Sequence, residues 1–272
     1  MTEVRALLMT DLVDSTGTTQ RLGEVAAAQL WLAHDRLVRA LLSSGRGLEI
    51  DKSDGFLLIF DQVADAAHFA LAYQRGLAEL PVAVASRVGL HVAPVVLRAN
   101  PPADVLRGAK PVEVESWLAK ALAARVMTLA AGGQTLLSAD AAAALGGAAA
   151  ALGGAGFQLH RHGHWRLQGI VEPIELFELG EAGAPAVPPP DSAKSYRVIE
   201  RGGLWLPRRE LRHTLPAERD AYIGRAAVLA NLAAQLHAGS RRVSVLGTGG
   251  IGKTRLAQRF GWLWLGDYPG GV

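Results

Sequence analysis

The chain has 272 residues, half of them hydrophobic, with a formal net charge of +3 and no cysteine. Disulfides and thiolate metal sites are excluded, and the lack of thiols fits a reducing, cytoplasmic setting. No apolar run reaches the roughly 20 residues of a membrane helix, the N-terminus lacks the regions of a signal peptide, and the length suggests one large domain plus part of another.

The charge is unevenly placed. Residues 1–180 carry 15 Lys/Arg against 18 Asp/Glu, whereas residues 194–225 carry 8 basic against 4 acidic. A basic segment can meet nucleic acid or an acidic partner. Neither aromatic interleaving nor a helix-turn-helix pattern accompanies it, so a solvated linker face is expected and nucleic acid is not.

In chain order, Leu7-Leu8-Met9 reads as a strand that ends at Asp11 and enters a hydroxyl-rich turn, Asp14 to Thr19, with several N-cap candidates. Two helical stretches follow, with Leu30, Leu37, Val38 and Leu41 on one face, and Gly45 and Gly47 end the second. Leu48–Asp51 and Phe56–Phe60 read as a hairpin with Ser53-Asp54-Gly55 at its tip. If these strands are neighbours, Asp11 and Asp54 converge at one sheet edge. Paired carboxylates suit Mg²⁺ with substrate phosphates, and two such ions can clamp an in-line phosphoryl displacement. The alternative is that both aspartates only cap turns.

Asp61 is a candidate cap for a helix through Leu80, carried by Val63, Ala66, Ala67, Ala70 and Leu77 and stopped by Pro81. Val82–Leu97 alternates as one strand or a bent pair, with Pro94 near a bend or edge. A polar loop, Asn100–Lys110, precedes a loop and helix over Glu113–Leu129, in which Leu118, Leu122, Arg125, Val126 and Leu129 keep helical register. Gln134–Leu137 is a short strand and Ser138 caps a helix over Ala139–Leu145. Ala-Leu-Gly-Gly at 144–147 and again at 151–154 marks a loose connection. Phe157–Leu167 and Pro173–Leu179 close a hairpin. His160, His162 and His164 alternate at metal-like spacing, but Arg161 and Gly163 between them favour an exposed strand end. His34 and His91 read as packed or surface residues. This order predicts an α+β sandwich with helices on one sheet face.

Glu181–Asp191 is a proline-rich spacer. Residues 194–218 have weak periodicity, although Tyr196, Trp205 and Leu206 hint at docked structure. A new domain begins at Tyr222-Ile223-Gly224-Arg225, followed by a helix (Ala226–His237) and a strand (Arg242–Leu246). Residues 247–254 fit G-x-x-x-x-G-K-[ST] between strand and helix, a P-loop. Gly247, Gly249, Gly250 and Gly252 let the backbone wrap a phosphate of ATP or ADP, Lys253 reaches the outer phosphates, and Thr254 can ligate Mg²⁺. The chain stops 18 residues after Thr254, before a second strand or an acidic Mg²⁺-holding motif. The expectation is therefore the front end of a longer protein. The domains read as 1–180, a linker over 181–220, and the start of a P-loop NTPase over 221–272.

Residues 9–23, MTDLVDSTGTTQRLG, resemble the opening motif of class III nucleotidyl cyclases, in the bacterial branch that begins with a Phe-Thr-Asp-Leu-Val-Gly-Ser-Thr-like string. The resemblance continues through SDGFLLIF (53–60), RVGLHVAPVV (87–96), ALAARVMTLAAGGQTLLSADA (121–141) and HWRLQGIVEPIELFEL (164–179), and so covers about residues 4–180. It implies a ferredoxin-like core and a homodimer. Asp11 and Asp54 would hold two Mg²⁺ or Mn²⁺ ions with the Leu12 carbonyl, and the amides of Val13, Asp14, Ser15 and Thr16 would meet the triphosphate of ATP or GTP. Arg125 would stabilise the transition state from the partner protomer. Tyr222–Arg225 is similar to the entry of STAND-type signalling ATPases.

The chain departs from the cyclase pattern at defined places. Ala121 stands where the family has Asn, Ile50 where it has the base-selecting Lys, and Ser53 where it has Gly. The partner base-selecting position falls near Val114, and the glycine after it near Trp117. Lys52 or Lys120 could substitute only if the register slips. Two functions follow from this: a cyclase of low activity governed by an ATP-binding module, or a degenerate cyclase-homology domain that senses nucleotide or dimerises.

Overall fold

The computed structural model describes residues 2–147, 156–218, 220, 222–268 and 271–272. The chain divides into two compact units, 1–161 with 175–182, and 162–174 with 183–272.

The first unit contains β1 (Thr2–Leu12), α1 (Ser15–Leu22), α2 (Glu24–Gly45), β2 (Gly47–Lys52), β3 (Phe56–Phe60), α3 (Val63–Ala78) and β4 (Ser86–Ala99). There follow α4 (Pro102–Val105), β5 (Val112–Val114), α5 (Trp117–Leu129), β6 (Thr135–Ser138) and α6 (Ala139–Gly147), then the start of β7 (Phe157–Leu167) and nearly all of β8 (Ile174–Glu181). The strands lie in the order β7-β8-β6-β4-β1-β3-β2, with β5 on β4. The β1–β3, β1–β4, β2–β3 and β6–β8 pairs are antiparallel and β4–β6 is parallel.

β1 and β3 carry near-continuous apolar runs because both sheet faces are covered. Successive residues alternate sides. Leu8, Leu58 and Phe60 pack with Val38, Tyr73 and Leu145, from α2, α3 and α6. Leu7, Leu57 and Ile59 pack with Ala119 and Ala123 of α5. Helices therefore lie on both faces, not on one as the element order suggested. Gly89 lets α5 approach β4, since a Cβ there would stand 2.4 Å from the Met127 nitrogen.

Other expectations shift locally. Asp61 does not cap α3. The cap position is Gln62, and Asp61 pairs with Arg5 at 3.1 Å. α2 ends at a left-handed Arg46 between the two glycines. Ser138 Oγ accepts the Ala141 N–H at 3.3 Å, the expected cap. His34 and His91 are buried and packed. The second Ala-Leu-Gly-Gly copy lies outside the described residues.

The second unit holds the end of β7, β9 (Ser195–Arg201), β10 (Leu204–Pro207), α7 (Ala226–His237) and α8 (Lys253–Leu263). The stretch of weak periodicity is a hairpin: β9 pairs antiparallel with both β10 and β7. The expected exposed strand end at the histidines is instead buried at His162, and a left-handed Gly163 interrupts the alternation. The expected strand over Arg242–Leu246 is irregular, and Leu246 is exposed. No described strand pairs with it, and a lone extended segment has no ladder to satisfy its backbone. Two ion pairs with buried guanidinia brace this unit. Arg197 reaches Asp267, and Arg208 reaches Asp191 at 2.9 Å and the Leu263 carbonyl at 2.7 Å. Among the described residues no helix is long and apolar enough to cross a membrane.

Candidate functional site

The site is built where the end of β1 meets the tip of the β2–β3 hairpin. Met9 pairs with Leu57, and Lys52 with Phe56, so the tip lies beside the last residues of β1. Thr10 Oγ1 accepts the Phe56 N–H at 3.0 Å. Gly55 seats directly on the Thr10 carbonyl, where a Cβ would be 1.7 Å from the oxygen and 3.1 Å from the Asp11 Cα. This contact sets Asp54 beside Asp11.

The two carboxylates are close enough to interact. Burial pushes the Asp11 carboxyl above its usual range, the Arg87 guanidinium opposes that, and Asp54 adds to it. Arg87 faces Asp11 in the β1–β4 register, with Nη1 3.4 Å from Oδ2. Ser86 Oγ donates to the Asp11 carbonyl at 3.0 Å. Neither Arg87 nor Ser86 is flagged by local sequence, since both reach the site only through strand pairing.

The turn after β1 departs from expectation in two ways. The Val13 N–H donates to the Ala85 carbonyl at 2.9 Å, so it is not free to meet a phosphate as the resemblance implied. The first turn of α1, including Ser15 and Thr16, keeps N–H groups that have no intrahelical acceptor. Asp14 is left-handed, with φ 56° and ψ 37°, and its carboxylate pairs with Arg21 at 2.9 Å rather than capping the helix. Gly17 makes room for that carboxylate, since a Cβ there would be 2.2 Å from Oδ1. The resembled motif has glycine where Asp14 stands, and glycine adopts this backbone without a steric penalty.

A cavity of about 530 Å³ opens on the α5 side of the hairpin, lined among others by Asp11, Asp54, Ile50, Trp117, Lys120 and Ala121. Arg125, one turn beyond Ala121, is exposed and does not line it. A β-bulge between Glu49 and Asp51 shifts the pairing of β2. Ile50 packs in the α5-side core, while Asp51 pairs with Lys110 at 2.6 Å. That pairing holds the Asp51 carboxyl below its usual range, against the effect of burial. Lys52 is instead paired to Asp35 of α2. The bulge therefore does not bring Lys52 into the place of Ile50. Lys120 lies 4.1 Å over the Trp117 ring. A second cavity of about 530 Å³ lies toward α1 and α2, bounded by Ser15, Thr16, Trp31, Asp35 and Lys52.

In the second unit, Gly250 and Gly252 have positive φ, and α8 begins at Lys253. Lys253 Nζ donates to the carbonyls of Gly247 and Thr248, each at 2.9 Å. A cavity of about 500 Å³ is lined by Gly250, Gly252, Lys253 and Thr254. A smaller one of about 290 Å³, bounded by Tyr222, Ile223 and Arg225, shares Gly252 and Arg255 with it. Loop and helix are thus formed, whereas the preceding strand is not.

No protein-family model matches the sequence, and no curated protein matches it significantly. Solved structures match by fold. Adenylate cyclases from Trypanosoma brucei in their monomeric state align with TM-score 0.56 and 19% identity, covering 67% of this chain and 90% of theirs. The adenylyl cyclase CyaB from P. aeruginosa aligns with TM-score 0.53 and 11% identity, covering 67% and 96%. The non-canonical dimeric guanylyl cyclase domain of the RhoGC fusion protein from Blastocladiella emersonii gives 0.51 and 12%, covering 66% and 97%. At these identities the likeness establishes the fold, the mixed α+β sheet of cyclase catalytic domains.

Proposed function

We propose that residues 1–180 form a class III nucleotidyl cyclase-like domain of low activity, which converts ATP or GTP to a cyclic nucleotide and pyrophosphate. The observation that carries this reading is the seating of Gly55 on Thr10, which gathers Asp11 and Asp54 where the end of β1 meets the β2–β3 hairpin tip. A carboxyl raised in part by a second carboxylate matches the donor set of a hard divalent cation. Asp11, Asp54 and the Leu12 carbonyl would hold Mg²⁺ or Mn²⁺. Such ions, when bound, neutralise the triphosphate and ease ionisation of the attacking 3′ hydroxyl. The amides of Ser15 and Thr16, at the start of α1, receive phosphate oxygens.

Arg125, exposed and off the cavity of its own protomer, serves the partner's site in a two-fold homodimer, and each protomer then completes the other. The P-loop residues Gly247–Thr254 bind ATP or ADP as a separate module. A cytoplasmic location belongs to this reading, since nucleoside triphosphates are the substrates.

A second reading has its own support. Ala121 and Ile50 line the cavity at the positions where the resemblance puts an amide donor and a base-selecting lysine. Loss of one transition-state donor costs about 10²–10³ in rate. The domain would then serve as a nucleotide-sensing or dimerisation module.

Calorimetry on the full chain tests the shared part of both readings. In a Lys253→Ala background, a non-hydrolysable ATP analogue with Mn²⁺ is expected to bind, and Asp11→Ala with Asp54→Ala to abolish it. Binding that survives the double substitution would place the site elsewhere.

A further inference from the structure

The α5 wall of the cavity around Asp11 and Asp54 carries an aromatic ring that the core does not use. Trp117, the first residue of α5, lines this cavity, yet it is 75% exposed. Ala119 and Ala123 pack the helix against the sheet, so Trp117 is not needed to hold α5 in place. Leu118 beside it is almost as exposed, at 72%, but does not line the cavity. An indole left in water forgoes one of the largest gains that burial offers a side chain.

The surroundings of the ring fit a flat ligand. Trp117, Lys120, Ala121 and Ala124 fall at i, i+3, i+4 and i+7, so they share the face of α5 that borders the cavity. The two alanines are short and leave room beside the ring. The Lys120 ammonium lies 4.1 Å over the indole, most of whose surface stays open. Two ties to β4 fix the start of the helix. Ser116 Oγ accepts the Val96 N–H, and the Glu115 N–H donates to the Val96 carbonyl, each at 2.9 Å. The cavity thus joins two carboxylates to an anchored aromatic ring, in a volume of about 530 Å³ that suits a small molecule. Ile50, also on its wall, offers no hydrogen bond to the edge of a base.

We propose that Trp117 is the base platform of this site, on whose indole the nucleobase stacks while Asp11 and Asp54 hold the metal and the triphosphate. This rests on the metal-site reading above and adds to it the means of holding the base. Stacking is tolerant of sequence because every base has a π face. Trp117 therefore accepts adenine and guanine alike, where a lysine in place of Ile50 would choose between them.

Calorimetry on the full chain tests this in a Lys253→Ala background, which silences the P-loop, with Mn²⁺ present. Non-hydrolysable analogues of ATP and GTP are compared with inorganic tripolyphosphate, which has the phosphates and no base. Adding Trp117→Ala should weaken both analogues by roughly fivefold or more, the low side of what stacking on an aromatic side chain is worth. Tripolyphosphate affinity should stay unchanged. Trp117→Phe, which keeps a stacking face, should recover most of the loss, whereas Trp117→Leu, apolar but not planar, should not. Unchanged analogue affinities in Trp117→Ala, or a parallel fall for tripolyphosphate, would overturn the platform and leave the metal site standing. A loss confined to one of the two bases would overturn it as well. A Lys253→Ala protein that binds neither the analogues nor tripolyphosphate would refute the metal-site reading, and the platform with it.

Discussion

Gly55 and Thr10 are in backbone contact: a Cβ on Gly55 would stand 1.7 Å from the Thr10 carbonyl oxygen. No side-chain rearrangement can relieve that clash, because the obstacle is main chain. Gly55→Ala should therefore push the hairpin tip away from β1, break the Phe56–Thr10 hydrogen bond and part Asp54 from Asp11. The expected loss is about 1–3 kcal/mol of stability, as for overpacking elsewhere, together with Mn²⁺ affinity. Denaturant melts and metal titration of this variant check both, and an alanine tolerated without loss would mean that the tip is not seated as described.

The Asp11 carboxyl gives a pH prediction with a definite sign. Its folded-state value is raised, so between the unfolded value and the raised one the native state binds more protons than the unfolded state. The charged form is thus a liability that grows as pH rises through that window and persists at neutral pH. Asp11→Asn should raise the melting temperature of the metal-free protein at pH 7, and the gain should fade on acidification toward the ordinary carboxylate range. Added Mn²⁺ should stabilise the wild type and not the variant.

His34 works in the opposite direction. Burial lowers its value to about 4, while Asp35 and Lys52 beside it act in opposite senses. From about pH 6.5 down to 4 the unfolded state takes up a proton that the native state refuses. Stability should fall there by on the order of 1 kcal/mol per pH unit, the most that one proton can give. His34→Gln should flatten that part of the acid limb, and an unaltered slope would mean that other groups control it.

Much of this architecture is legible in the sequence, and the rest is not for physical reasons. The runs around Leu7-Leu8-Met9 and Phe56–Phe60, with Ser53-Asp54-Gly55 between strands, announce a hairpin and a carboxylate pair because turn chemistry and apolar runs are local signals. The element order suggested helices on one face only, and the coverage of both faces, by α2, α3 and α6 against Leu8 and by α5 against Leu7, depends on tertiary contacts such as Gly89 against α5. Arg87 and Ser86 reach the site across long sequence separations, and no local pattern marks them. The use of the Val13 amide by Ala85 and the bulge beside Ile50 are details of strand pairing. The segment 242–246 resembles a strand through Val243, Val245 and Leu246, yet strands exist only where a neighbour pairs with them.

Asp14 occupies a left-handed backbone position in the turn before α1, where the proposed function puts the triphosphate. Asp14→Gly removes that constraint and an exposed pair with Arg21 that contributes little. Its main effect should be electrostatic. Without a carboxylate beside the triphosphate, nucleotide affinity should rise by about 1 kcal/mol, the scale of a unit charge a few ångströms away in water. Equal affinities in wild type and variant would show that the nucleotide does not approach α1.

In the second unit, Arg208 is buried with Asp191 as its ion-pair partner. Asp191→Asn leaves a guanidinium without its countercharge and should cost about 3–5 kcal/mol. Thermal unfolding of the full chain should show the second unit melting earlier, while Mn²⁺ binding at Asp11 and Asp54 stays as in the wild type.

The most direct test of the central claim is a product assay, in which the full chain is incubated with Mn²⁺ and either ATP or GTP and cyclic nucleotide is quantified. Slow formation with little discrimination between the two bases is expected, abolished by Asp11→Ala with Asp54→Ala. Ala121→Asn should raise the output at least tenfold, the low side of what one transition-state donor supplies. Cyclic nucleotide absent from both wild type and Ala121→Asn, or formed undiminished by the double aspartate variant, would contradict it.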